Sequence, residues 1–397
     1  MHLNGESAAE DWQLAVLLAE VAAFVASYTA TFVLVPLAAA ATSEPIGTVG
    51  LVAAMPGFVG VVLALPSAGV SNRFGRQRLI QAAFVVLCAA VVGYLVAPGF
   101  VWLIPSQLAL GLSMIAFWPS ALAAFAEMPG RRSQELRQGL NTLLQGLGSF
   151  AGAAVAGGVA AQLGFPLAFE MLVPLAAVGL LLTPALRETS FAPGRTPDVD
   201  LADAVHRAVR LWRRDRTYAV AASALAPWSM LWWVAGATFF VLYATQAGYS
   251  PAFVGSLVAL RIGVASLIRL LFAHITRRVP LVHLLLAGNA LGGLGLAAAA
   301  ISTAPLCLLA SATLQGIGLS VVLPASNVMV MEGTAGRDRV VGLAMSSAMT
   351  NSAILIAAPV LAFVSASVGL ASALAFAGLL ATVLSGAVGL VVRDGRT

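Results

Sequence analysis

Twelve runs of apolar residues, each about as long as a helix needs to cross bilayer hydrocarbon, follow one another along this chain. They lie at roughly 13–39, 47–69, 78–97, 101–126, 138–161, 165–186, 217–245, 251–273, 281–302, 305–329, 340–365 and 369–392. Backbone in lipid must satisfy its own hydrogen bonds, so runs of this length predict helices. Composition agrees: 60% of the 397 residues are apolar and 9% are charged, against about 25% charged in soluble domains. Links such as Pro98-Gly99 and Gly248-Tyr-Ser-Pro251 are turn chemistry with almost no charge. The first run follows Glu6, Glu10 and Asp11 and is too long for a cleavable leader, so it reads as a helix that stays.

Every one of the 21 basic residues is Arg. The net charge of +5 could suggest nucleic acid, but the arginines are dealt out among loops and form no patch. Loops after helices 2, 4, 6, 8 and 10 and the C-terminal tail hold 19 of the 21, and the intervening loops hold none. Retention of Arg on the inner side then predicts that both termini and the even-numbered loops are cytoplasmic, in a multi-pass protein of the cytoplasmic membrane. Cys88 and Cys307 fall inside apolar runs far apart, and neither a disulfide framework nor a metal site is indicated. No phosphate loop or nucleophile–base set is present, so no enzyme and no cofactor are expected.

The chain also repeats itself. The Arg-rich loop Ala68-Gly-Val-Ser-Asn-Arg-Phe-Gly-Arg-Gln-Arg-Leu79 has a weaker echo at Ala273-His-Ile-Thr-Arg-Arg-Val-Pro280, with Arg73 mapping on Arg278 and Gly75 on Pro280, both 205 positions later. The same offset pairs Gly50 with Gly255, Gly111 with Gly316, Pro119 with Pro324 and Glu127 with Glu332. Two copies of one membrane unit are predicted, an N-terminal bundle over 1–186 and a C-terminal bundle over 217–397. Between them, 187–216 begins as a flexible tether. From Asp200 to Arg214 it places Leu201, Ala204, Val205, Ala208, Val209 and Trp212 at helical spacing among arginines, the pattern of an amphipathic helix on the inner leaflet; a solvated tether is the alternative.

Two six-helix halves, a central cytoplasmic loop and the 68–79 loop resemble the major facilitator superfamily over nearly the whole chain. The family's signature between helices 2 and 3 runs Gly-x-Leu-Ala-Asp-Arg-x-Gly-Arg-Arg; here Arg73, Gly75 and Arg76 match, while Ala68 and Asn72 replace the first Gly and the Asp. Thr183-Pro-Ala-Leu-Arg-Glu-Thr189 is similar to the family's exit from helix 6. The resemblance implies an all-α fold of twelve helices in two bundles, and a cytoplasmic lock in which Arg73 pairs with Glu127. Asn72 can cap a helix but carries no charge, which implies a weaker lock. Other motifs depart from the family: Gln107 stands where helix 4 carries an Arg, and helix 5 reads Gly148-Ser-Phe-Ala-Gly152-Ala-Ala-Val-Ala-Gly157, with Ala153 in place of the antiporter Pro. This supports export only weakly, although the small-residue spacing suits close helix packing.

Charges inside spans demand a reason. Arg261 is near the middle of helix 8 and is a natural clamp for a carboxylate or phosphate; an interhelical pair or bonds to carbonyls is the bland alternative. Arg269 is nearer the end and could snorkel. Glu20, seven or eight residues into helix 1, suits a carrier that takes up and releases a proton, or else pairs with an Arg. Trp228, Trp232, Trp233 and Tyr243 of helix 7, Tyr28 of helix 1 and Phe117 and Trp118 of helix 4 could line a cavity for an amphipathic or aromatic acid, or face lipid. Gln107, Asn141, Gln145, Gln315 and Asn351 could touch a substrate or bridge helices. The expected substrate site is Arg261, Tyr28, Trp118, Trp228, Trp232, Gln315 and Asn351, with Glu20 for the proton and Asn72, Arg73, Gly75, Arg76 and Glu127 for the lock.

The expected protein is a monomeric secondary active transporter with a small-molecule substrate, protons and the bilayer as its partners. Export by proton antiport is the leading reading. Import or facilitated passage of an organic anion is the alternative, and a non-transporting membrane sensor the third. Topology is checked directly: single cysteines at Pro98–Gly99 and Gly248–Ser250 should react with an impermeant thiol reagent from outside, and those near Gly75 or Arg195 only from inside. Outside labelling at Gly75 would reverse the whole orientation.

Overall fold

The computed structural model describes residues 3–127, 134–187, 201–334 and 337–394; the side chains of Asn72, Arg73 and Glu127, on which the expected lock rests, lie outside the described set. All regular structure among the described residues is helical. Twelve helices are long and apolar enough to cross a membrane. They are helix 1 (Asp11–Ala41), helix 2 (Ile46–Ala64), helix 3 (Arg76–Val96), helix 4 (Phe100–Phe125), helix 5 (Gly139–Leu163), helix 6 (Phe165–Ala185), helix 7 (Arg216–Gln246), helix 8 (Pro251–Leu270), helix 9 (Leu281–Ala299), helix 10 (Pro305–Glu332), helix 11 (Met345–Val368) and helix 12 (Leu370–Val388). The amphipathic segment is helix from Leu201 to Arg214; its Leu211 and Trp212 pack on the core, and Arg210, Arg213 and Arg214 are exposed. It ends at Asp215, whose carboxylate accepts from the Tyr218 N–H at 3.1 Å and so caps the start of helix 7.

The repeat is visible in three dimensions as repeated contacts. A Cβ at Gly111 would come 2.8 Å from Pro56 Cα, and one at Gly316 would come 2.6 Å from the Arg261 carbonyl oxygen. Pro56 and Arg261 are themselves 205 apart, so helix 4 meets helix 2 as helix 10 meets helix 8. The tight links between helices 5 and 6 and between helices 11 and 12 are mates as well: Gly164 and Gly369 take φ of 85° and 90°, backbone that a side chain would strain. Gly75, at φ 90°, turns helix 2 into helix 3 in the same way.

The two halves meet along crossed pairs, helix 2 with helix 11 and helix 8 with helix 5. These too obey the offset. Gly50 packs on Ala358 and Ala362, while Gly255 packs on Ala153 and Gly157, and each residue of one set is the mate of one in the other. Small residues let the backbones close up where lipid provides no hydrophobic drive between helices. The sequence reading of Gly157 as part of a packing stripe holds, and Ala153 is in that stripe. Both contacts lie at the end of the bundle away from the termini, and helix 1 meets helix 7 there as well.

A Cβ at Gly255 would come within 2.8 Å of both the Ala153 carbonyl oxygen and Gly157 Cα, backbone atoms that cannot swing aside. Gly255→Leu should therefore cost about 1–3 kcal/mol, as overpacking does. Gly158→Leu, where nothing stands within 4 Å, should change stability little. Thermal unfolding of the purified protein in detergent compares them; equal behaviour would show that the crossed pair is not closely packed.

Candidate functional site

The site grows from an irregularity in helix 7. Pro227 has no N–H and crowds the carbonyl one turn back, so the regular ladder cannot pass through it. From Met230 to Phe239 the chain takes the wider π-helical winding, a form that clusters at functional sites. Side-chain bonds to helices 10 and 11 anchor the start of this stretch. The Trp228 indole N–H donates to the Leu319 carbonyl at 2.9 Å, and the Ser229 hydroxyl donates to the Thr350 carbonyl at 2.9 Å. Gly236 is the floor of the irregular turn. A Cβ there would meet Arg261 Nη1 and stand 2.6 Å from the Leu231 carbonyl oxygen and 2.9 Å from Gln315 Oε1. Only a glycine leaves room for those groups to converge.

Arg261 is 2% exposed, and its Nε and Nη1 have no hydrogen-bond partner. Its guanidinium carbon lies 4.8 Å from the centre of the Trp232 ring. Arg269, two turns on, reaches the same ring at 5.6 Å, while its Nε donates to the Ser320 carbonyl at 3.2 Å. Trp232 stacks on Trp228 at 6.0 Å and 10°. Gln315 donates through Nε2 to Ser311 Oγ at 3.1 Å and leaves its buried Oε1 unpartnered. The six spans from Arg216 onward contain one acid, Glu332, which is exposed at the end of helix 10. A desolvated cation–π contact gives about 2 kcal/mol, whereas burying an unpaired ion costs several kcal/mol. The aromatic ring alone leaves Arg261 under-compensated, and what the arrangement can do chemically is hold an anion.

Helix 1 supplies the facing wall. Tyr28 and Phe32 contact Trp233 at 5.8 and 5.1 Å, and Trp233 meets Trp232 edge-on at 6.4 Å. Tyr28 is buried. Behind it the aromatic run continues through Phe24, stacked on Phe117 at 3.9 Å, to Trp118. The structure therefore brings Arg261, Trp228, Trp232 and Gln315 together, with Tyr28 across from them. Trp118 touches Phe24 and Phe117 within the N-terminal half. Asn351 stands in the seam against Gly60 of helix 2, and its Nδ2 donates to the Ser347 carbonyl at 2.8 Å.

Glu20 is fully buried, and both carboxylate oxygens lack a hydrogen-bond partner. It stands beside Thr183 of helix 6, whose hydroxyl donates to the Gly179 carbonyl at 2.9 Å. It thus lies in the N-terminal half, where helix 1 packs on helix 6, and forms no pair with an Arg among the described residues. Of the expected lock, Gly75 makes the turn and Arg76 is buried. The sequence reading left Gly236 and Ser311 out of the site. Gly236 carried one signal, the lone glycine inside a Trp-rich run; the π-helical winding carried none.

A twelve-span helical bundle with a buried, charged, aromatic site between its halves defines a membrane transporter. The sequence profile of the Major Facilitator Superfamily matches residues 16–280, and the chain belongs to that family. It is a secondary transporter of this type, and not an enzyme. No curated protein sequence matches it significantly. Among solved structures it is similar to the nucleoside transporter NupG, with a TM-score of 0.81, 12% identity and coverage of 96% of this chain and 99% of that one. It is similar also to a POT family transporter in complex with a thioalcohol-conjugated peptide (TM-score 0.76, 13% identity, 96% of each chain). A bacterial homolog of the human lysosomal transporter Spinster, inward-facing and unoccupied, follows at TM-score 0.70 and 15% identity, covering 96% of this chain and 95% of that one. At these identities the likeness shows the fold.

The contact between Gly236 and Arg261 is testable without a substrate. Gly236→Ala should destabilise the protein in detergent, and the loss should shrink by at least about 0.5 kcal/mol in an Arg261→Met background, where Nη1 is gone. Strict additivity of the two changes would show that the guanidinium does not rest on Gly236.

Proposed function

We propose that this transporter moves a small organic compound with an anionic group by alternating access, exporting it across the cytoplasmic membrane in exchange for protons. The observation that carries the reading is Arg261, buried over Trp232 with two unpartnered nitrogens and no acid in its half of the membrane interior. Trp228, Trp232 and Tyr28 form an apolar wall for the body of the compound, and Gln315 Oε1 accepts a hydrogen bond from it. Trp118 and Asn351 join the site in another state of the cycle. Glu20, a carboxyl group with no partner in the other half of the bundle, carries the proton. Residues 1–186 and 217–397 act as the two rocking units of one monomer, the linker and both termini facing the cytoplasm. Arg73, Glu127, Asn72, Gly75 and Arg76 fasten the cytoplasmic side.

A second reading, entry of an organic anion by import or facilitated passage, is favoured by Ala153. It stands where the helix 5 antiporter motif has Pro, and here it packs in the seam against Gly255. The two separate in vesicles of known orientation under an imposed pH gradient: export requires uptake into inverted vesicles with the inside acid. A guanidinium holds a carboxylate through two parallel bonds that an ammonium cannot copy. Arg261→Lys should therefore lower flux despite keeping the charge, and Arg261→Ala should lower it further. Glu20→Gln should abolish accumulation driven by the gradient and leave exchange of substrate for substrate. Unchanged flux in Arg261→Ala would remove the anion site from the mechanism.

A further inference from the structure

Arg261 is not the only cation on the Trp232 ring. Both guanidinium carbons lie against it, 4.8 and 5.6 Å from its centre, so they are on the order of 10 Å apart at most. Among the described residues Arg269 bonds only through Nε, to the Ser320 carbonyl, which leaves both of its Nη amino groups for another acceptor. Arg261 keeps Nε and Nη1 unpartnered. The half of the membrane interior that holds both has no carboxylate to offset them, and Glu20 stands against helix 6 of the other half. The repeat mates of the two arginines are Pro56 and Ala64, so the fold itself does not call for either charge. Two like charges at this spacing in a poorly screened interior repel each other, and one monoanion relieves only half of the imbalance.

Resting on the anion site proposed above, we infer that the substrate class is a dianion. Its two negative charges sit on a compact, planar or aromatic body, one facing Arg261 and the other Arg269, with Trp232 between them. Gln315 Oε1, buried and unpartnered beside Arg261 Nη1, adds a preference for an N–H or O–H donor next to the first anionic group. Tyr28, across the seam and in contact with Trp233, closes the site from helix 1. Dianion specificity is thereby a property of helix 8 and one tryptophan of helix 7, with the N-terminal half contributing a lid.

The test uses matched probes on the purified, full-length protein. Terephthalate and phenyl phosphate at pH 8 are the dianions, benzoate is the monoanion, and benzamide is the neutral control. Binding is read from tryptophan fluorescence and from thermal stabilisation at constant ionic strength. In the wild type at least one dianion should bind about tenfold or more tighter than benzoate, since its second charge gains a second charge-assisted contact. Arg269→Gln should level dianion and monoanion, leaving benzoate affinity close to its wild-type value. Arg261→Gln should weaken both classes, and Arg269→Lys should restore part of the preference.

Equal affinity for benzoate and both dianions, with loss of all three in Arg261→Gln, overturns the dianion inference and leaves the single anion site standing. Preference for benzamide over every anion overturns both. Failure of both dianions to bind at millimolar concentration, or a dianion preference untouched by Arg269→Gln, also overturns the inference.

Discussion

A guanidinium in hydrocarbon has no water to fall back on, and Arg261 is where this structure faces that fact. The residue sits near the middle of helix 8, against the Trp232 ring, with two nitrogens that no group among the described residues satisfies. Much of the surrounding architecture accommodates it. Gly236 yields the space its side chain needs, and the π-helical stretch of helix 7 turns Trp232 under the cation and sets Gln315 Oε1 beside the same point. Remove the charge and these features lose their common purpose. An under-compensated cation at this depth is costly, and that cost is what the proposed anion would offset.

The scaffold around the site is symmetric, and the site is not. Crossed pairs of small residues, Gly50 with Ala358 and Ala362 and Gly255 with Ala153 and Gly157, knit the halves by one rule applied twice. Tyr28 and Trp233, again 205 positions apart, meet each other at 5.8 Å, as residues beside a two-fold axis do. Against that background, Arg261 has Pro56 as its mate, and Trp232 has Ser27. The N-terminal half has instead placed Glu20, its one deeply buried acid among the described residues, against helix 6. One half carries cations and the other a carboxyl group, a division of labour that duplication alone would not produce.

The sequence by itself determined a good deal. Apolar run length gave twelve helices to within a few residues, because hydrocarbon leaves an isolated backbone no other way to bond. The 205-residue offset announced the two copies, and turn glycines such as Gly75 and Gly248 marked links that only a glycine's backbone freedom allows. That Arg261 would be buried was legible from its depth alone, and it is 2% exposed. Tertiary structure decided the rest. Which faces of helices 1, 7, 8 and 10 turn toward one another depends on packing between halves, and hydrophobic periodicity is silent when every face of a helix is apolar. That is why Gly236 looked like any other small residue and why Arg269 looked like an end-of-helix charge free to snorkel, when both belong to one cluster around Trp232. It is also why Glu20, on a helix expected to line the cavity, could be placed against helix 6 only once the bundle was assembled.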